Sequence, residues 1–540
     1  MTKNWIFQLF FFLCFSFVSI AQNGTFRGSL ETNGKFFLRD ENIDAVGTPQ
    51  YDHQLFGSET WLDLSYSQGG FDLGARFDMF NNSNLIDPNG SYNDLGIGKW
   101  YIHKEVFGLD ITAGYIYDQI GSGAIFRAYE ERPLAIDNAL TGVRLGYKLA
   151  PEWNITAFAG KQKNRFSQYD AVLKGGKIEG FFQPSDSSNF SLAPGFGVMN
   201  RTYDDGTMSD IIERVKFYQT NDRIDLQYNV FMYSLYNTMN VGPFSWYAEG
   251  NYKSPDVFFD PKAERLLLGG ETSLGKLVTE PGTVFFTSVS YAAHGFGLTL
   301  SGKRTENFDV RTDPLENDNR GLLNFLPPMT RQQSYTLKSK YAAATQLLGE
   351  LAFQVDARYR FNKKLSTHVN FSNITDLDQE LLYREIDGEV HFKKSRKLLI
   401  VGGLQTQWYN QEVFEGKTDV PMIRTLTPFV DIQYRFKPKR SIRFEGQFLS
   451  SEQNDGSWLF GLVEYTVAPR WSFEISDNYN IVQKKDGALH FPRIGTTFTK
   501  RSNRIGLYYV KQVEGIVCTG GICRLEPAFS GVKLNISSTF

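Results

Sequence analysis

The chain has 540 residues, a formal net charge of −2 and three cysteines, a balance that excludes a generally basic, nucleic-acid-coating protein. Mean hydropathy is −0.33, and beyond residue 21 no run approaches the ~18 apolar residues that a membrane helix requires, so a helical membrane protein is excluded as well. Aromatic residues make up 15% of the chain. That is high for an ordinary globular enzyme and fits a β-barrel with a polar lumen and Tyr, Trp and Phe at two membrane interfaces.

At the N-terminus Lys3 precedes an apolar run from Trp5 to Ile20, closed by Ser19-Ile20-Ala21. This order reads as a secretory signal peptide over residues 1–21, with the mature chain starting at Gln22. Cys14 lies inside the run with no small residue before it, so no lipid anchor is expected. The first strand is expected near Thr25, which leaves no room for a plug domain or an energy-coupling segment ahead of a barrel.

From there two-residue alternation recurs: Phe71 to Met79, Ile224 to Met232, Phe296 to Leu300, Leu351 to Phe361, Val430 to Phe436 and Trp471 to Ile475. In Leu351–Phe361 the apolar set Leu351, Phe353, Val355, Ala357, Tyr359 and Phe361 is interleaved with Gln354, Asp356, Arg358 and Arg360. A sandwich core would not take those charges, whereas a water-filled lumen would. A local repeat orients the strands: Tyr147-Lys-Leu-Ala-Pro-Glu-Trp153, Tyr359-Arg-Phe-Asn-Lys-Lys-Leu365, Tyr434-Arg-Phe-Lys-Pro-Lys-Arg440 and Tyr465-Thr-Val-Ala-Pro-Arg-Trp471 each run aromatic, any residue, apolar, then a tight polar turn. These are short turns beside an aromatic belt, and in an outer-membrane barrel short turns face the periplasm. Further short turns are expected at Gln68–Gly70, Val106–Gly108, Thr220–Arg223, Ala293–Gly295, Lys393–Arg396 and Lys500–Asn503.

Two connections are long, 118–139 and 308–348, and structureless loops of that size are uncommon unless they do something. Near the end, Cys518 and Cys523 flank Thr-Gly-Gly-Ile, which reads as a disulfide closing a hairpin in an oxidising compartment; the spacing is not a redox C-x-x-C and two thiols make a poor zinc site. The last strand places Val532, Leu534, Ile536 and Phe540 on one face and Lys533, Asn535, Ser537 and Thr539 on the other. An alternating strand ending on Phe540 resembles the insertion signal of bacterial outer-membrane barrels, with Leu534, Ile536 and Phe540 carrying it. The fold expected is therefore all-β: one large antiparallel transmembrane barrel over residues 22–540, of about 26 strands, or roughly 22 if the irregular region Gly175–Leu268 pairs more simply.

The chain resembles an uncharacterised family of Bacteroidota outer-membrane β-barrels. The resemblance rests on Gln119-Ile-Gly-Ser-Gly123 with Phe126-Arg127, Tyr129-Glu130 and Asp137-Asn138, on Phe325-Leu-Pro-Pro328 and on the terminal strand. It implies a porin-like barrel in the outer membrane and lends no established activity.

Two functions fit. The first is a passive channel for polar solutes, with 118–139 as a constriction loop whose mixed charges (Arg127, Glu130, Glu131, Arg132) set a transverse field, and Asp356, Arg358, Arg360, Arg443, Glu445, Glu474 and Lys533 lining the wall; the plainer account of such charges is solvation of a lumen. The second is a non-enzymatic accessory subunit of a secretion, insertion or surface-display complex, motivated by the basic turns Lys363-Lys364, Lys393–Lys397, Lys437–Arg440 and Lys500–Arg504 facing acidic outer loops such as Asp204-Asp205. The partners expected are outer-membrane lipid, the barrel-assembly machinery during biogenesis, and for the second reading a protein in the lumen or at the periplasmic rim; no nucleic acid is expected. An enzyme is not. The six histidines (53, 103, 294, 368, 391, 490) show no metal spacing, Ser366 and His368 lack a recognisable third partner, and the run Asp204–Asp210 lacks a regular calcium-ligand register. No cofactor or metal is expected.

Overall fold

The computed structural model describes residues 24–267, 270–317, 319–484 and 487–540; the signal peptide expected over residues 1–21 lies outside them. Twenty-four strands form one antiparallel sheet in which chain neighbours pair in order, from Thr25–Phe37 to Phe529–Thr539. The first and last strands then pair with each other, Phe36 opposite Val532 and Leu30 opposite Ser538, so the sheet closes into a barrel. Phe540 completes this seam through its backbone, exchanging hydrogen bonds with Gly28 at 2.8 and 2.9 Å. A closed sheet of this strand number is roughly 45–50 Å across between backbones.

The observed 24 lies between the two sequence counts of 26 and 22. Gly515–Thr519 and Ile522–Glu526 pair only with each other, as do Glu130–Glu131 and Ile136–Asp137, so neither hairpin enters the wall. In the irregular region the chain spends its residues on two long strands, Phe244–Leu266 and Thr272–Ala293. Their neighbours stop pairing at Lys253 and Thr283, and beyond that point the two pair only with each other, Asp256 opposite Glu280 and onward. They form a hairpin that continues past the barrel wall.

The same region corrects one expected turn. Thr220–Arg223 does not join two wall strands. It lies within the connection 203–228, where Asp204 caps the helix Asp205–Val215 by accepting from Thr207 N at 3.0 Å and Asp222 holds the long hairpin through Leu266 N at 2.8 Å and Lys276 Nζ at 2.7 Å. The wall strand begins at Asn229, not Ile224; Ile224 and Leu226 pack instead against Met208, Ile211, Val257 and Leu277. Apolar alternation there serves a loop core.

Connections at one end of the barrel are two to four residues long, except 181–189; those at the other include 203–228 and 307–348. The four aromatic turn motifs all fall at the short-turn end, where outward rings form a chain of contacts: Phe244–Tyr291, Tyr291–Phe296, Phe296–Tyr359 and, further round, Phe436–Tyr465 and Trp471–Phe498, with centroids 4.7 to 6.3 Å apart. Above them the outward face is apolar and exposed, for example Leu351, Phe353, Val430, Phe444 and Ile475. Greasy side chains outside and polar ones inside are what lipid without and water within require.

Candidate functional site, the loop-filled lumen

Both long connections turn inward. Their apolar residues form a core with the wall: Ile120, Ile125, Phe126, Phe308, Val310, Leu323 and Leu326 against Phe158, Leu173, Met199 and Val284, and Met329, Leu337 and Tyr341 against Tyr383, Tyr409, Ile423, Trp458, Phe491 and Phe529. The loops also hold each other. Arg127 N donates to Leu323 O at 2.8 Å, Phe325 N to Gly123 O at 3.0 Å, and the Arg127 guanidinium lies 4.1 Å from the Phe325 ring centre and 4.5 Å from that of Tyr129.

Gly121 shows why the Gly-Ser-Gly sequence is needed. Its φ is +57°, and a Cβ there would sit 2.6 Å from Glu249 Oε1 on the wall. The neighbouring Ser122 N donates to the same carboxylate at 3.1 Å, which Tyr247 and Ser234 also bind, at 2.6 and 3.1 Å. Only a residue without a side chain lets the loop backbone approach this closely.

Charge fixes the loops at two places. Around the first, Arg76 is 1% exposed and reaches Asp78 at 2.6 Å, Glu130 at 2.7 Å and Asp137 at 2.7 Å. Lys163 pairs with Asp137 too, and Tyr117 donates to it at 2.8 Å. Burial works against the Asp137 carboxylate, but Lys163 and Arg76 outweigh it and hold it below the usual carboxylate range. Arg132 binds Glu130 at 2.5 Å, Glu31 at 2.6 Å and Asp63 at 3.2 Å, over the Trp61 ring. Around the second, Lys338 is fully buried and reaches Asp387 at 2.7 Å and Glu389 at 2.9 Å; Arg331 binds the same pair at 3.1 and 2.9 Å, and Gln333 donates to Glu385 at 2.7 Å and Asp387 at 2.8 Å. Buried carboxylates in a low dielectric need such partners.

Among the residues expected to form a constriction, Glu130 and Arg132 therefore neutralise each other and wall charges, Arg127 stacks between loop rings, and Glu131 pairs through its backbone with Ile136. Among the expected wall residues, Asp356 binds His368 at 2.5 Å and Arg358 at 3.3 Å, Arg443 binds both Glu445 and Asp431, Glu474 binds Arg493, and Lys533 lies 3.9 Å from Glu526 with its charge over the Phe529 ring. Arg360 is exposed at the short-turn end. Leu534 and Ile536 keep their alternation, and Phe540 is exposed at the seam. Cys518 and Cys523 are disulfide-bonded, and their hairpin rests on the 308–348 loop: Thr345 N donates to Gly521 O at 3.0 Å and Asn319 Nδ2 to Cys523 O at 2.9 Å. Arg76, Lys163, Glu249 and Lys338 went unnoticed in the sequence. The legible signal was charge at inward register in Arg76 and Asp78, while Lys338 sits in a loop whose path alternation does not report.

Exposure grades along the inward face. On the strand Gly349–Arg360, Glu350 is fully buried and Ala352 is 4% exposed, whereas the Arg358 side chain is 70% exposed. On Leu381–Lys393, Glu385 and Asp387 are fully buried and the His391 side chain is 39% exposed. The loop end of the lumen is filled by protein and the short-turn end is a polar vestibule, part of which is a cavity of about 940 Å³ lined by Arg331, Arg358, Arg360, His368, Glu389 and His391.

These features define a closed 24-strand antiparallel barrel of the outer-membrane type, its lumen occupied by its own loops. The chain belongs to a family of unknown function, DUF6029, whose model matches residues 1–540. No curated protein matches the sequence. Among solved structures, the P pilus usher (PapC) translocation pore is 10% identical with a TM-score of 0.47, over 95% of this chain and 99% of that one. The ferric enterobactin receptor PfeA from Pseudomonas aeruginosa is 8% identical with a TM-score of 0.39, over 95% and 80%, and OpdK from the same organism is 11% identical with a TM-score of 0.35, over 84% and 98%. At these identities the likeness is one of barrel architecture alone.

Proposed function

We propose that the protein is a bacterial outer-membrane barrel, of Bacteroidota as the sequence resemblance implies, that acts as a loop-restricted passive channel for polar solutes and not as an enzyme. Leu534, Ile536 and Phe540 serve as its insertion signal for the barrel-assembly machinery, and outer-membrane lipid surrounds it. The observation that carries the channel reading is the graded inner wall: a charged vestibule open at the short-turn end leads to a floor of inward-folded loops packed on the wall, the material a channel would use to set its bore. In single-channel recordings on refolded protein, the intact chain is expected to conduct weakly or in brief events, and deletion of residues 308–348 to raise conductance severalfold. Absence of conductance in both forms discards the channel.

One observation favours a second reading. Inward side chains at the loop end are buried on strands all round the barrel, from Trp61 and Arg76 through Glu249, Lys303 and Gln405 to Trp458 and Phe529, as suits an accessory barrel that is never open by itself. A stoichiometric partner after mild detergent extraction, together with silent recordings, supports that reading.

A further inference from the structure

The connections at the short-turn end divide into two contiguous arcs. Following the chain round the barrel, the first six connections, 69–70, 107–108, 151–152, 181–189, 242–243 and 294–295, contain no Lys or Arg. The next five lie in Phe361-Asn-Lys-Lys364, Lys393-Lys-Ser-Arg-Lys397, Lys437-Pro-Lys-Arg440, Ala468-Pro-Arg470 and Lys500-Arg-Ser-Asn503, each with one to four Lys or Arg and none with Asp or Glu. These cations are exposed, and among the described residues none of them forms an ion pair, whereas lumen cations such as Arg76, Arg132, Lys338 and Arg443 each meet a carboxylate. Like charges gathered on one side repel, and among the described residues no carboxylate pairs with them.

Their height in the structure points to where a counter-charge would lie. Outward rings sit within a few residues of the tips: Tyr359 and Phe361 beside the first basic turn, Tyr434 and Phe436 beside the third, and Trp471, stacked on Phe473 and touching Phe498, between the last two. Such rings occupy the membrane–water interface, which puts the adjoining ammonium and guanidinium groups level with lipid phosphates, where their stems can snorkel. The arc without Lys or Arg in its turns carries the same belt, beside 242–243 and 294–295 through Phe244, Trp246, Tyr291 and Phe296, so the rings alone account for anchoring there. Clustered cations within the turns are confined to one side; on the other, single lysines stand beside two of the turns, Lys104, whose Nζ donates to Gly69 O at 2.7 Å, and Lys148 before 151–152.

We propose that the five basic turns form a binding surface for the headgroups of anionic phospholipids in the leaflet at the short-turn end, so that the barrel gathers such lipids along one arc only. This rests on the membrane-barrel reading above. Each bound phosphate meets cations from adjacent turns, and the arc presents little else that would discriminate among anionic headgroups.

The test uses the full chain in mild detergent, with native mass spectrometry after addition of phosphatidylglycerol and phosphatidylethanolamine of matched acyl chains. Retention of phosphatidylglycerol is expected to exceed that of phosphatidylethanolamine by about fivefold, the factor one basic residue near an anionic surface supplies. Raised salt and the variant K393Q/K394Q/R396Q/K397Q are each expected to cut this preference. Brominated phosphatidylglycerol should quench Trp471 more strongly than Trp246, a comparison that needs no change to the arc. Equal retention of both lipids, or equal quenching at the two tryptophans, overturns the proposal and hands the arc to an acidic protein face. Failure of the protein to enter bilayers of either lipid instead overturns the membrane-barrel reading itself.

Discussion

The two halves of the lumen are built on the same strands and differ in what covers them. At the loop end Glu350, Glu385 and Asp387 are fully buried and meet Lys303, Gln333, Lys338 or Arg331. At the short-turn end Arg358, His391 and Arg493 also face carboxylates, yet water reaches them. By distance alone the two sets are alike. Burial separates them: a covered ion pair is structure, since losing one partner strands a charge in a low dielectric, while a wetted pair is screened and contributes little.

The largest effect should therefore come from Arg76→Met. It leaves Asp78 without its cation and takes one from Glu130 and Asp137, at an expected cost of about 3–5 kcal/mol, read as a lowered denaturant midpoint of the refolded barrel. If the 118–139 loop is held by this network, protease should then cut it in the folded variant and not in the parent. Gly121→Val comes next. A β-branched residue at φ +57° with its Cβ against the Glu249 carboxylate is expected to cost about 1–3 kcal/mol, and to weaken the loop without removing any charge. A Gly121→Val barrel as stable as the parent would show that the approach to Glu249 is not tight.

Much of the wall was legible because the physics of a strand in lipid is written at every second residue. Leu351–Phe361 and Trp471–Ile475 report inside and outside directly, and the repeated aromatic turns give direction. Legibility failed where burial was not periodic. Thr220–Arg223 has the composition of a turn, and Ile224 to Met232 alternates, but helix Asp205–Val215 and the long hairpin supply a three-dimensional partner that local pattern does not encode. The lumen filling was half readable: 118–139 and 308–348 stand out by length, and apolar residues at inward register near the loop end, Trp458, Phe491 and Phe529, say that something dry lies against them. Which carboxylates meet Lys338 could not be read, because 49 positions separate it from Asp387 and no periodicity spans a loop.

Acid should discriminate the halves more gently than mutation. Asp137 has its folded pKa held below the ordinary carboxylate range, so its contribution is present above the unfolded value of about 3.9 and is lost as pH falls through the lower, folded one. Between neutrality and the ordinary carboxylate range the 118–139 loop should stay docked; below it, release should follow, seen as a change in the emission of Trp61, which stacks on Arg132. Asp137→Asn should remove that step while leaving the vestibule groups to titrate as before. Release already at mildly acidic pH would mean that Lys163 and Arg76 do not hold the carboxylate.

The smallest effect belongs to Arg358→Gln. The side chain is 70% exposed, and its partner Asp356 keeps His368 at 2.5 Å, so no buried charge is stranded and the stability change should stay within about 0.5 kcal/mol. Position matters more than stability here. If the vestibule conducts, removing one wetted cation from its wall should move the reversal potential in a salt gradient toward cations while the denaturant midpoint stays put. A midpoint drop comparable with that of Arg76→Met would mean that Arg358 is as covered in solution as Arg76, and the division of the lumen into a dry and a wet half would not survive it.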